Sequence, residues 1–173
     1  MSIVIEESGM KFGPFHEDYC FYIEKSNIYL KIQNGLQIAE FLLVRPEKNK
    51  LFIVEAKSSS PNPVNKESQD KFDNFITEIS EKLLNAFTLG LSLCLKRHTH
   101  YKDEIPKYLT EIEHSSIQVV LLLVINGHKE EWLSPLNEAL QKRLKCASKI
   151  WPFQVVVINE KIAQNYGLID NIA

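Results

Sequence analysis

What this 173-residue sequence lacks narrows its class first. No apolar run reaches the roughly 18 residues a membrane-spanning helix needs, and the first ten residues carry Glu6 and Glu7 where a secretory leader carries basic residues. These absences argue against a helical membrane protein and predict a cytoplasmic one. Only three cysteines are present, Cys20, Cys94 and Cys146, far apart and with no CxxC pair, which argues against a disulfide framework or a zinc ribbon and leaves ordinary buried thiols. An excess of charge is also missing. The formal net charge is −2, so any contact with a polyanion is local rather than the work of a basic molecule. No repeat, linker or low-complexity tract divides residues 1–173, and the length fits one domain.

What is present is a composition of 45% hydrophobic and 24% charged residues, far from the signature of disorder. Two apolar runs, Leu36 to Val44 and Leu51 to Ala56, flank the polar hexapeptide Arg45 to Lys50 and predict a β-hairpin. Upstream, Tyr19 to Ile32 is rich in Tyr, Phe and Ile and reads as a strand, with a helical turn near Asn27 as the alternative. Phe12-Gly13-Pro14-Phe15 reads as a turn that docks aromatic rings on the core. After Lys57, the serines and prolines of residues 58–63 end the first strand layer. Apolar residues from Phe72 to Leu91 recur at three- and four-residue intervals and predict a long helix over 66–96. The run Ile117 to Ile125, closed by Asn126-Gly127, predicts a central strand covered on both faces. A helix over 130–147, a strand over 152–158 and a short final helix follow. The predicted class is α/β (α+β), a mixed central sheet with helices on both faces.

The chemistry concentrates on the hairpin. In the second strand, alternation puts Ile53, Glu55 and Lys57 on one face, so two charges end an otherwise apolar strand. A buried carboxylate is costly unless paired or bound to metal. Glu40 lies inside the preceding apolar run, and hairpin pairing brings it towards Glu55. Two facing carboxylates repel, and a divalent cation relieves the repulsion; Mg²⁺ suits one or two carboxylates completed by water and phosphate oxygens.

Glu40, fourteen intervening residues, then Glu55-Ala56-Lys57, a helix and a buried strand resemble the PD-(D/E)XK nuclease superfamily over about Tyr19 to Asn126. The resemblance implies a restriction endonuclease-like fold and hydrolysis of phosphodiester bonds of DNA or RNA. It also implies Mg²⁺ or Mn²⁺ held by Glu40 and Glu55, and Lys57 positioning or activating the attacking water. Many members add an acid from an N-terminal element, for which Glu24 and Glu17 are the candidates. Ala39-Glu40 stands where Pro-Asp is commonest, and glutamate reaches one carbon further. The QxxxY element of some members is not completed, since Gln69, an accessory candidate, is followed four residues on by Asp73.

Two weaker constellations are present. Cys94, His98 and His100 have metal-ligand types but no fourth ligand, and a polar connector is the favoured reading. Lys96, Arg97, Lys102 and Lys107, and Lys142, Arg143, Lys145 and Lys149, form two basic regions able to meet a phosphate backbone, although cations near helix C-termini are ordinary. Because the chain is slightly acidic, the nuclease expectation includes a second copy of the chain, a protein partner or a small nucleic-acid substrate. The competing expectation is a catalytically inactive nuclease-fold module that uses its surface for protein contacts and binds no metal at Glu40 and Glu55.

Overall fold

The computed structural model describes residues 1–63, 65–111, 113 and 116–170. The chain opens with a hairpin, β1 (Ser2–Glu7) and β2 (Met10–His16), paired antiparallel. Ser8 and Gly9 both take positive φ, 53° and 74°, as the tight turn between right-twisted strands requires. This hairpin corrects the expectation of a turn at Phe12 to Phe15. Proline is tolerated at position 14 because β1–β2 is its own two-stranded sheet, and Pro14 need not donate to a central ladder.

The segment read as a strand over Tyr19 to Ile32 is one only at β3 (Cys20–Phe21). A 3-10 turn, Ile23–Lys25, and helix α1 (Asn27–Ile32) follow. Ser26 decides the outcome: its Oγ accepts from the Tyr29 amide at 3.3 Å and donates to the Ile23 carbonyl at 2.6 Å, which caps a helix and closes off the strand. Ile23 and Ile28, five residues apart, are then buried in the same core cluster, whereas strand alternation would send them to opposite faces.

The predicted hairpin is present as β4 (Phe41–Arg45) and β5 (Lys50–Lys57), in register Phe41↔Val54, Leu42↔Ile53 and Leu43↔Phe52. Residues 36–40 stay outside the strand, because the Ala39 amide donates to Lys82 on the neighbouring helix at 3.1 Å. That helix, α2 (Gln69–Cys94), is entered through the 3-10 turn Lys66–Ser68. A 3-10 segment, Thr99–Glu104, and α3 (Lys107–Glu111) lead to β6 (Gln118–Ile125). The predicted helix over 130–147 breaks at Leu144 into α4 (Glu130–Arg143) and α5 (Lys145–Ile150). β7 (Gln154–Asn159) and α6 (Glu160–Asn165) complete the order, and Asn159 caps α6 by accepting from the Ile162 amide at 3.0 Å.

The main sheet has five strands in the order β3-β4-β5-β6-β7, antiparallel through β5 and parallel from β5 to β7. Strand alternation sorts the core. Leu42, Leu51, Ile53, Leu121 and Leu123 face α2 and α4, whereas Phe41, Leu43, Val54, Leu122 and Val124 face the hairpin and α6. The mixed sheet flanked by helices is thus present, with one face covered largely by strands β1 and β2. Of the cysteines only Cys20 is buried; Cys94 is half-buried and Cys146 is exposed. Among the described residues, no helix is long and apolar enough to cross a membrane.

The hairpin tip docks on the C-terminal end of the main sheet. Ser8 Oγ donates to the Ala56 carbonyl at 3.0 Å, and Asn126 Nδ2 donates to the Ser8 carbonyl at 3.1 Å. In sheets with parallel strands this is the end at which ligand sites form.

Candidate metal centre

Continuing the β4–β5 register by one step sets Glu40 opposite Glu55, on the face that carries Leu42, Ile53 and α2. The ladder ends in a bend there, but the Glu40 amide still donates to the Val54 carbonyl at 3.0 Å and keeps Glu40 beside β5. Both side chains are deeply enclosed, Glu55 at 0% exposure and Glu40 at 5%. The expectation that the two acids share one end of the hairpin holds in the geometry.

Burial makes each carboxylate dependent on what it can pair with. Glu55 Oε1 accepts from Lys82 Nζ at 2.9 Å and lies 3.4 Å from Lys57 Nζ. Lys57 is itself held more closely by Glu78, at 2.7 Å. Oε2 of Glu55 and Oε2 of Glu40, in contrast, are buried without a hydrogen-bond partner. Orphaned polar atoms of this kind are rare in folded proteins and mark a place where something else binds or a proton is held.

A third element closes the site. The Glu24 amide donates to the Glu40 carbonyl at 3.2 Å, which brings the 3-10 turn against the start of β4. Glu7, at the end of β1, accepts from the Tyr22 hydroxyl. One carboxylate oxygen from each of Glu7, Glu24 and Glu40 lies within 4.8 Å of the other two. Oxygens on opposite sides of a Mg²⁺ or Ca²⁺ ion stand about 4–5 Å apart, so these three acids fit one divalent cation with little movement. Glu24, one of the two accessory candidates, thus lies beside Glu40 and Glu7.

Among the described residues, five carboxylates, of Glu7, Glu24, Glu40, Glu55 and Glu78, meet three lysines, Lys25, Lys57 and Lys82. The imbalance falls on Glu40. Burial first, and then the negative charges of Glu55, Glu24 and Glu7, push its carboxyl from an ordinary 4.5 up to about 9. Burial also raises Glu55, and the charges and hydrogen bonds of Lys82 and Lys57 oppose that shift without reversing it. The Lys82 ammonium is raised: burial works against its charge, and Glu55, Glu40 and Glu24 outweigh burial.

The other expected residues lie elsewhere. Gln69 is exposed in the first turn of α2, donating to Asp73 at 2.9 Å, nine residues or about 13 Å of helix before Glu78. Glu17 pairs with the N-terminal ammonium at 2.8 Å. Cys94 donates to the Leu109 carbonyl at 3.3 Å, and His98 and His100 belong to no metal-competent group among the described residues. Sequence reasoning missed Glu7, Tyr22, Glu78 and Lys82. Lys82 had a legible signal, since it sits three residues after Ile79 and four before Ala86, on the flank of the apolar helix face. Glu7 had none, because only the docking of the hairpin tip brings it to the site. No protein-family model matches the chain, and no curated protein and no solved structure matches it.

Two outcomes follow from this geometry. A carboxyl that titrates near 9 when folded and near 4.5 when unfolded binds its proton more tightly in the native state. Its contribution to stability is therefore complete below pH 4.5 and is lost as pH rises towards 9. Without added metal, Glu40→Gln flattens the decline of stability between pH 5 and 9 in urea titrations; an unchanged slope assigns the proton elsewhere. Lys82→Met strands the Glu55 charge and costs about 3–5 kcal/mol, whereas the double variant Lys82→Met/Glu55→Gln recovers much of that loss. Additive losses in the double-mutant cycle contradict the pairing.

Proposed function

We propose that the chain is a metal-dependent nuclease of the restriction endonuclease-like type, acting in the cytoplasm, with Glu40 and Glu55 as metal ligands and Lys57 beside the attacking water. The observation that carries this reading is the pair of buried, unpartnered carboxylate oxygens on Glu40 and Glu55, set beside a lysine that keeps 25% exposure. Glu7 and Glu24, which cluster with Glu40, would supply further oxygens to a cation held there. The donor set is all carboxylate, as Mg²⁺ or Mn²⁺ prefers. When bound, such an ion polarises a phosphate oxygen and lowers the pKa of a coordinated water.

The remaining work belongs to the side chains. Lys57, released from Glu78, donates to the water or to a non-bridging phosphate oxygen and offsets the charge that develops as water attacks phosphorus and the leaving oxygen departs. Glu55 holds Lys57 near the site, and Lys82 favours the ionised form of Glu55 and fixes its position. With a net charge of −2, nucleic acid is held through local contacts, supplemented by a second copy of the chain or a protein partner.

A second reading is a non-catalytic interaction module. It is favoured by one observation: Lys82–Glu55 and Lys57–Glu78 already pair within the site, so the core can be held without an ion. Cleavage of single- and double-stranded DNA and RNA with Mg²⁺ or Mn²⁺ separates the two. The nuclease reading expects wild-type cleavage that falls about 10²–10⁴-fold in Lys57→Ala, with Glu40→Gln and Glu55→Gln likewise impaired. Cleavage indifferent to all three substitutions, or no cleavage by a protein that binds no Mn²⁺, gives the site to the interaction module.

A further inference from the structure

At the other end of the sheet, on the hairpin side, the cover of β1–β2 and α6 is incomplete. A slot of about 210 Å³ opens there over the starts of β5, β6 and β7. Its floor is the buried side chains of Val120, Leu122, Ile158 and Leu168, and its walls include the half-buried Phe52 and Val156. Arg45, Lys48 and Lys50 stand around it, and among the described residues no carboxylate lines it. Among the described residues none of these three cations forms an ion pair with an acid. Arg45 donates to the Gly167 carbonyl at 2.7 Å, Lys48 lies 5.9 Å from the centre of the Tyr166 ring, and Lys50 is left with its charge uncompensated.

We propose that this slot binds a small aromatic anion, a single ring bearing a phosphate or carboxylate. An aliphatic floor offers no partner to polar atoms, so the inserted end of the ligand must be apolar. The volume sets its size: a cavity of about 150 Å³ takes benzene, and the slot exceeds that by little more than one charged substituent. The rings of Phe52 and Tyr166 favour an aromatic body. Three cations that form no ion pair among the described residues favour a negative charge at the mouth. Lys50 at the slot's mouth and Lys57 at the acidic cluster begin and end β5, about 23 Å apart along the strand, and the slot opens on the opposite face of the sheet from Glu55, so it is independent of the nuclease reading.

Phenyl phosphate is the probe, with inorganic phosphate and phenol as controls, titrated into the full chain and followed by calorimetry and amide chemical shifts. The expected result is sub-millimolar binding of phenyl phosphate, with both controls weaker by about tenfold or more and shifts centred on Phe52, Val120 and Tyr166. Lys50→Glu removes the charge and Val156→Trp fills the slot; each weakens binding about tenfold or more with the thermal midpoint retained. Because Lys50 is only partly buried, its variant remains informative if the tryptophan disturbs folding. Equal affinity for inorganic phosphate, no binding at millimolar concentration, or binding that survives Lys50→Glu overturns the proposal.

Discussion

A carboxylate with no exposure to water imposes conditions on everything around it. Glu55 is such a group, and the conditions it sets are met by helix α2, which crosses the strand at the position where Lys82 reaches Oε1. The same crossing fixes backbone. The Lys82 carbonyl takes the Ala39 amide, the Val54 carbonyl takes the Glu40 amide, and the Glu40 carbonyl takes the Glu24 amide. Helix, strand β5, the approach to β4 and the 3-10 turn are therefore joined through the residues that carry the site's charge. Moving α2 by one residue would rotate Lys82 about 100° away from Glu55 and leave the acid alone in the core.

This arrangement leaves more negative charge than its lysines can neutralise, and two states can relieve it. In one, Glu40 keeps a proton, as its raised pKa requires in the absence of a cation. In the other, under the proposed metal-dependent reading, a divalent cation would take the proton's place among Glu40, Glu24 and Glu7. Such an exchange would couple metal affinity to pH.

Much of this was legible in the sequence because hydrophobic pattern dominates where it is dense. The runs ending at Val44, Ala56 and Ile125 gave strands β4, β5 and β6, and the spacing from Phe72 to Leu91 gave α2. Register alone then placed Glu40 across from Glu55. Tyr19 to Ile32 misled because its aromatic and β-branched residues favour strands, while one serine cap and burial of Ile23 and Ile28 turned the chain helical. Strand β2 was hidden by Gly13-Pro14, a pair that reads as a turn unless the strand belongs to a separate two-stranded sheet. Glu7 and Glu78 were not legible at all, since each becomes part of the site only through contacts between elements distant in sequence.

The measurement closest to the central claim is calorimetric titration of Mn²⁺ into the protein near pH 8 in buffers of different ionisation enthalpy. If a cation displaces the Glu40 proton, binding releases about one proton per ion and is lost or greatly weakened in Glu40→Gln, which retains the fold. Binding without proton release, binding unchanged in Glu40→Gln, or no binding at all contradicts the account and leaves the buried acids a purely structural ion-pair network.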